Sequence, residues 1–164
     1  MKNISIVMGS DSDLPVMQEA AIFLESIEVE YEMKIVSAHR TPDLLYEYSK
    51  SANNKNIKVI IAGAGGAAHL PGMIASMTSI PVIGVPVKTS TMNGIDSLYS
   101  IVQMPPGIPV ATVEINGGKK ARILAAQVLG KYDYEVYEKL EKYKNELNET
   151  VKAKSKKIFE TGYK

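Results

Sequence analysis

Cysteine is absent from this 164-residue chain, and so is tryptophan. Without thiols there can be no disulfide, no thiolate zinc site and no thiol nucleophile. A cysteine-free chain fits a reducing compartment. Charge of one sign is also lacking: 19 basic residues face 18 acidic ones, for a net charge of +1. No global basic field therefore points to nucleic acid or to an anionic membrane. Long apolar runs are missing, and the longest falls far short of the ~20 residues that a transmembrane helix needs. Neither a basic leader nor a cleavage-site pattern precedes the apolar segment Ile4 to Met8. The expectation is a cytoplasmic protein without a signal peptide. There is no Gly-x-Ser-x-Gly elbow, no His-Glu-x-x-His pair and no P-loop. Only two histidines occur, His39 and His69, with no carboxylate cluster beside either. That makes a metal site an unfavoured reading, and no redox cofactor is implied.

What is present divides into two regions. All 8 prolines and all but one of the 12 glycines lie in residues 1–130. Residues 131–164 are dense in charge and nearly free of both breakers. The first region reads as a single catalytic α/β domain. Apolar, β-branched runs at Ile4–Val7, Met33–Val36, Ile57–Ile61, Val82–Val85 and Val110–Val113 predict strands, several continuous enough for burial on both faces. Helix signals alternate with them. Ser12 or Asp13 can cap a helix with Pro15 in its first turn, and Thr41 can cap another that starts at Pro42. Further helices are predicted over 69–77, 96–103 and 119–129, the last ending at Gly130 as a C-cap. Repeated βα units imply right-handed crossovers and a parallel sheet covered on both faces. The predicted fold is a three-layer αβα, flavodoxin-like arrangement plus a long C-terminal helix.

That last helix carries Tyr132, Val136, Leu140, Tyr143, Leu147 and Val151 as one apolar stripe. The stripe spans ~30 Å of helix, about the width of the body. Residues 131–164 are therefore expected to form a helical extension that packs partly on a neighbouring subunit, in a homo-oligomer.

In open parallel sheets, ligands bind beyond the carboxyl ends of the strands. Three predicted βα loops there are unusual. The first, Gly9 to Asp13, offers Ser10, Ser12, backbone N–H groups and a helix N-terminus, which suit a phosphate. Asp13 can accept from ribose hydroxyls, although a simple helix cap would also account for Ser12 or Asp13. The second loop, Ser37-Ala38-His39-Arg40-Thr41-Pro42, sets a histidine beside one of only two arginines. Arg40 can grip phosphate bidentately, and histidine is the side chain suited to proton transfer near neutrality. The third loop contains Gly63-Ala64-Gly65-Gly66-Ala67-Ala68-His69. It formally fits Gly-x-Gly-x-x-Ala, but it follows the third strand and lacks the downstream acid, so dinucleotide binding is weakly supported. A backbone that must approach its ligand closely is the better account. His69 is either a second catalytic group or a histidine satisfied within the following helix.

At these loops the chain resembles the PurE family, the bacterial N5-carboxyaminoimidazole ribonucleotide mutases. Gly-Ser-Asp-Ser-Asp, Ser-Ala-His-Arg-Thr-Pro and the stretch from Ala62 to Met73 look like its signatures. So do Gly94 to Pro105 and Gly107 to Thr112, and the likeness covers about residues 4–130. The resemblance implies a flavodoxin-like octamer with sites at subunit contacts, a small ribonucleotide substrate and no cofactor. It implies that Ser10 and Arg40 hold the phosphate and Asp13 the ribose. It further implies that His39 is the general acid/base, that His69 is a second active-site histidine, and that residues 63–68 line the reacting carboxyl group. The segment Gly117-Gly118-Lys119-Lys120-Ala121-Arg122 departs from the family pattern, which leaves the packing of that helix open. Two alternatives remain: the related carboxylase that adds free CO2, and a non-catalytic flavodoxin-like nucleotide-binding module.

Overall fold

The computed structural model describes residues 2–163. A sheet of five parallel strands forms the centre: β1 (Ile4–Met8), β2 (Tyr31–Ile35), β3 (Val59–Gly65), β4 (Val82–Val87) and β5 (Ala111–Thr112). Their spatial order is β2-β1-β3-β4-β5, the flavodoxin-like order whose ligand crevice lies between β1 and β3. The helices are α1 (Leu14–Ser26), α2 (Pro42–Ser51), α3 (Leu70–Met77), α4 (Ile95–Val102), α5 (Gly118–Leu129) and α6 (Tyr134–Thr161). The predicted three-layer class is therefore the observed one.

Strand side chains alternate between two cores, as the two-residue strand period requires. Ile4, Ile6 and Met8 of β1 join Val59 and Ile61 of β3 against α1, α5 and the start of α6. Val7, Ile60 and Ala62 point the other way, toward Leu45, Leu70, Ile74 and Ile101 of α2, α3 and α4. One polar residue interrupts the second face. Ser5 is fully buried, accepts from the Tyr48 hydroxyl at 2.7 Å and donates to Glu32 at 3.0 Å, so its polarity is satisfied.

All five strands shift by a residue or more from the sequence expectation, β3 and β2 the most. β3 runs on through Ala62, Gly63, Ala64 and Gly65, residues of poor strand propensity. Pairing with β4 holds them, Ala64 opposite Pro86 and Gly65 opposite Val87. The side chain of Met17 packs so closely over Gly63 that a Cβ there would lie 2.2 Å from its sulfur. β2 begins two residues earlier than expected because it is the edge strand, where Tyr31 and Glu32 can face water and still pair with Ile4 and Ser5.

Capping also differs. Ser10 caps a short 3-10 turn at Asp11–Asp13 through a reciprocal capping box with Asp13, and α1 then starts with no side-chain cap of its own. Thr41 occupies the N-cap of α2, yet its hydroxyl bonds back to Ser37 rather than to the helix. Gly130 follows α5 with φ −61°, a right-handed conformation open to any residue. A Cβ there would meet the backbone of Tyr137 at 3.4 Å, an ordinary contact distance, so α6 packs against this position without requiring glycine.

The unusual segment at 117–122 packs α5 onto α1. A Cβ on Gly118 would lie 2.2 Å from the carbonyl oxygen of Val16. Arg122 donates to the Glu19 carbonyl at 2.7 Å and lies over the Phe23 ring. The final helix is built in two halves. Val136 and Leu140 are buried and Tyr143 meets Phe23 edge-on at 5.2 Å. From Lys144 onward every described residue is exposed, Leu147, Val151, Ile158 and Phe159 included.

Candidate active site

The three loops converge at the carboxyl edge of β2, β1 and β3, around a pocket of about 350 Å³. Eleven of the thirteen site residues read from the sequence line it: Ser10, Ser12, Asp13, Ser37, Ala38, His39, Arg40, Ala64, Gly65, Ala67 and His69. Gly63 and Gly66 do not. Gly63 is buried inside β3 beneath Met17. Gly66 turns away into a left-handed conformation, φ 70°, and donates its N–H to Ser97 at 2.9 Å. Gly9 and Leu70, from stretches already noted in the sequence, and Thr89, from outside them, complete the lining.

The two histidines meet. His39 Nε2 lies 2.8 Å from His69 Nδ1, with the rings nearly perpendicular at 83°. Such a contact needs a proton on one nitrogen and a lone pair on the other, so the facing atoms share one proton. His69 comes to this place because β3 delivers the glycine loop to the N-cap of α3, whose first turn begins at Leu70 and Pro71. His39 comes from the turn after β2, which the reciprocal Ser37–Thr41 bonds hold closed. Both imidazoles are exposed. One chain alone therefore leaves both rings open to water.

Arg40 stands at the pocket wall and ties two loops together. It donates to the Gly9 carbonyl at 3.1 Å and to the Ser37 hydroxyl at 3.3 Å. That leaves guanidinium N–H groups for an anion. The first loop presents fewer backbone donors than its sequence suggests, because the capping box consumes them. The Ser10 N–H goes to Asp13 and the Ser12 N–H to Asp11. The Ser10 hydroxyl donates to Asp11 at 2.9 Å, which holds that exposed carboxyl below its ordinary value. To donate to a phosphate, Ser10 must rotate away from Asp11. The glycine loop is similarly frugal. The N–H groups of Ala68 and His69 close on Gly66 and Ala67. The loop supplies room more than donors.

Asp13 is 6% exposed. Burial raises its carboxyl above the ordinary value of 3.8, and hydrogen bonds from Ser10 and Gly9 pull it only partly back. A carboxyl with a raised folded-state value destabilises the fold as pH climbs from 3.8 through that value, because the charged form is the one penalised. Asp13→Asn is accordingly expected to melt no lower than the parent at pH 7, with the difference shrinking as pH falls toward 4. Affinity for a nucleotide should fall at the same time. Thermal melts across pH check this, and a lower Tm at pH 7 would contradict it.

The sequence profile described as AIR carboxylase matches residues 3–150. The chain belongs to the AIR carboxylase family. Within that family it is 59% identical over 164 residues to a Thermotoga maritima protein named N5-carboxyaminoimidazole ribonucleotide mutase, covering 100% of this chain and 96% of that one. A Pyrococcus abyssi protein of the same name is 61% identical over 147 residues, 90% of this chain and 84% of that one. A Candida glabrata phosphoribosylaminoimidazole carboxylase is 56% identical over 160 residues, but the match spans only 28% of that longer protein. Among solved structures, Treponema denticola PurE superposes with a TM-score of 0.87 at 28% identity, covering 94% of this chain and 97% of that one. The family's fold is thus the fold seen here. Among the described residues no group of three or more His, Cys, Asp or Glu could hold a metal ion, and no helix is long and apolar enough to cross a membrane.

Proposed function

We propose that this AIR carboxylase family member is a mutase of de novo purine synthesis. It converts N5-carboxyaminoimidazole ribonucleotide to 4-carboxy-5-aminoimidazole ribonucleotide. The observation that carries the proposal is the 2.8 Å contact between His39 and His69 at a pocket that also holds Arg40, Ser10 and Asp13. The high identity to full-length proteins named as that mutase supports it further.

The N–C bond of the carbamate breaks, and its electron pair returns to nitrogen, which takes a proton from His39. The released CO2 stays in the pocket. The electron-rich ring carbon then attacks it, and His39 removes the proton from that carbon. One imidazole thus ends as it began. His69 steadies the ring that changes charge by sharing a proton with it. No electron is gained or lost and no phosphoryl group moves, so the reaction calls for neither a redox cofactor nor a nucleotide triphosphate. Ala64, Gly65 and Ala67 leave room for CO2 beside the ring, which makes its recapture a local event. Ser10, Ser12 and Arg40 anchor the phosphate, Asp13 the ribose, and Ser37 and Ala38 flank the ring.

The proposal includes a cytoplasmic homo-octamer. Neighbouring copies would close the site over the exposed histidines and keep water from the CO2. Residues 1–130 are the catalytic domain in this scheme, and residues 131–164 are an extension whose exposed Leu147, Val151, Ile158 and Phe159 rest on a neighbour.

The deciding assay supplies the carbamate nucleotide to the purified protein and follows carboxylated product by absorbance. Turnover of the carbamate supports the mutase. Turnover only with bicarbonate plus the uncarboxylated nucleotide would make it the carboxylase instead, and no turnover of either would refute both. Arg40→Ala should weaken phosphate-bearing ligands by about 10- to 100-fold, since hydrogen bonds to charged groups each contribute about 1.5–3 kcal/mol. Isothermal titration with the nucleotide and with its dephosphorylated nucleoside checks the role. Equal losses for both would remove Arg40 from the phosphate.

A further inference from the structure

Thr89 lines the pocket, although it belongs to none of the three loops read from the sequence. It lies two residues beyond β4, on the far side of β3 from Arg40 in the strand order. A nucleotide held by its phosphate near Arg40 and lying across the crevice between β1 and β3 would bring its base toward this end.

The position of Thr89 is tightly set. The buried Ser97 hydroxyl donates to the Val87 carbonyl at 2.7 Å, and the Lys88 N–H donates to Asn116 at 2.9 Å. The Thr89 methyl lies against the glycine loop, 3.0 Å from where a Cβ on Gly65 would be. Its hydroxyl donates to Asp96 Oδ2 at 3.4 Å. The other carboxylate oxygen, Asp96 Oδ1, is buried and has no hydrogen-bond partner among the described residues. Asp96 as a whole is only partly buried, but a carboxylate with one oxygen shut away from donors holds those it has on the other, because leaving an acceptor unsatisfied costs more than an average hydrogen bond returns.

A hydroxyl carries one proton and two lone pairs. With its proton directed at Asp96 across a long 3.4 Å contact, the Thr89 hydroxyl has its lone pairs free for a donor in the pocket that the residue lines. We propose that Thr89 accepts an N–H from the exocyclic nitrogen of the substrate, and that Asp96 is the positioning residue that sets this polarity. That nitrogen bears a hydrogen both as the carbamate and as the free amine. Thr89 therefore holds the atom that loses CO2 next to the space where CO2 must wait. The assignment rests on the mutase reading above.

The test compares wild type, Thr89→Val, Thr89→Ser, Asp96→Asn and the Val/Asn double variant. One readout is kcat/KM on the carbamate nucleotide. The second is the affinity for imidazole ribonucleotide lacking the amino group. Thr89→Val should lower kcat/KM about three- to tenfold, and Thr89→Ser, which restores the hydroxyl, should recover most of the loss. Asp96→Asn should lose a similar factor, because its amide can donate to the hydroxyl and reverse the polarity. The double variant should be no worse than either single one, as coupled residues are non-additive. Affinity for the amino-free nucleotide should not change in Thr89→Val. Equal loss for both ligands, or an unaffected Thr89→Val, would overturn the role of Thr89. Full additivity in the double variant would overturn that of Asp96. A wild type that leaves the carbamate unconverted would instead refute the mutase itself.

Discussion

Replacing His39 by Asn should cut kcat by about 10²–10⁴-fold, the range that positioned acid/base groups commonly supply. Nucleotide affinity should change little. In the proposed scheme phosphate and ribose are held by Arg40, Ser10 and Asp13, none of which bonds to the imidazole, whose ring partner among the described residues is His69. Asparagine keeps a planar polar group in the gap but cannot cycle a proton. Stopped-flow or steady-state kinetics, together with titration calorimetry on the same preparation, give the two numbers. A near-normal kcat would remove His39 from the reaction. A parallel collapse of affinity would mean that the ring binds substrate rather than moving its proton.

The second large effect lies away from the pocket. Gly118→Ala is expected to cost about 1–3 kcal/mol, the usual range for overpacking. The added methyl would have to sit 2.2 Å from the Val16 carbonyl, a backbone atom that cannot rotate aside. Any gain in helix propensity, at most ~1 kcal/mol, is too small to offset it. For a chain of this size the loss corresponds to a drop in Tm of roughly 2–12 °C. Differential scanning calorimetry decides the matter, and an unchanged or higher Tm would show that α1 and α5 separate freely. The substitution should also raise KM. Asp13 immediately precedes α1, and Met17 of α1 packs against Gly63 under the pocket floor.

Much of this molecule can be read from its residues. Continuous apolar strands and breaker-bounded helices are strong local signals, and they point to a doubly covered parallel sheet whose loops share one edge. His39, Arg40, Ser10 and Asp13 follow from that topology, since chemistry-bearing residues on βα loops converge at the carboxyl ends. What stayed hidden depends on contacts distant in sequence. Nothing local shows that Gly63 is filled over by Met17, or that Gly66 spends its N–H on Ser97, 31 positions away. Glycines that make space and glycines that make turns look alike in a string of letters. Thr89 was invisible for another reason. Its only signal is a place after the fourth strand, and in the run Thr89-Ser90-Thr91 no one hydroxyl stands out until Asp96 is seen behind the first. The Gly118 segment reads as an anomaly in sequence and as a close helix contact in three dimensions.

The two halves of α6 predict very different protection of the backbone. Residues 134–143 are anchored by Val136, Leu140 and Tyr143, so their amide hydrogens should exchange slowly with heavy water. The remaining turns, 144–161, extend ~27 Å with no described residue packed beneath them. Most helical stability in proteins comes from packing of an apolar face, so in a solitary chain these amides should exchange far faster than those of residues 134–143. Slow exchange along the entire rod would therefore report, without any label or antibody, that some other surface had settled against it.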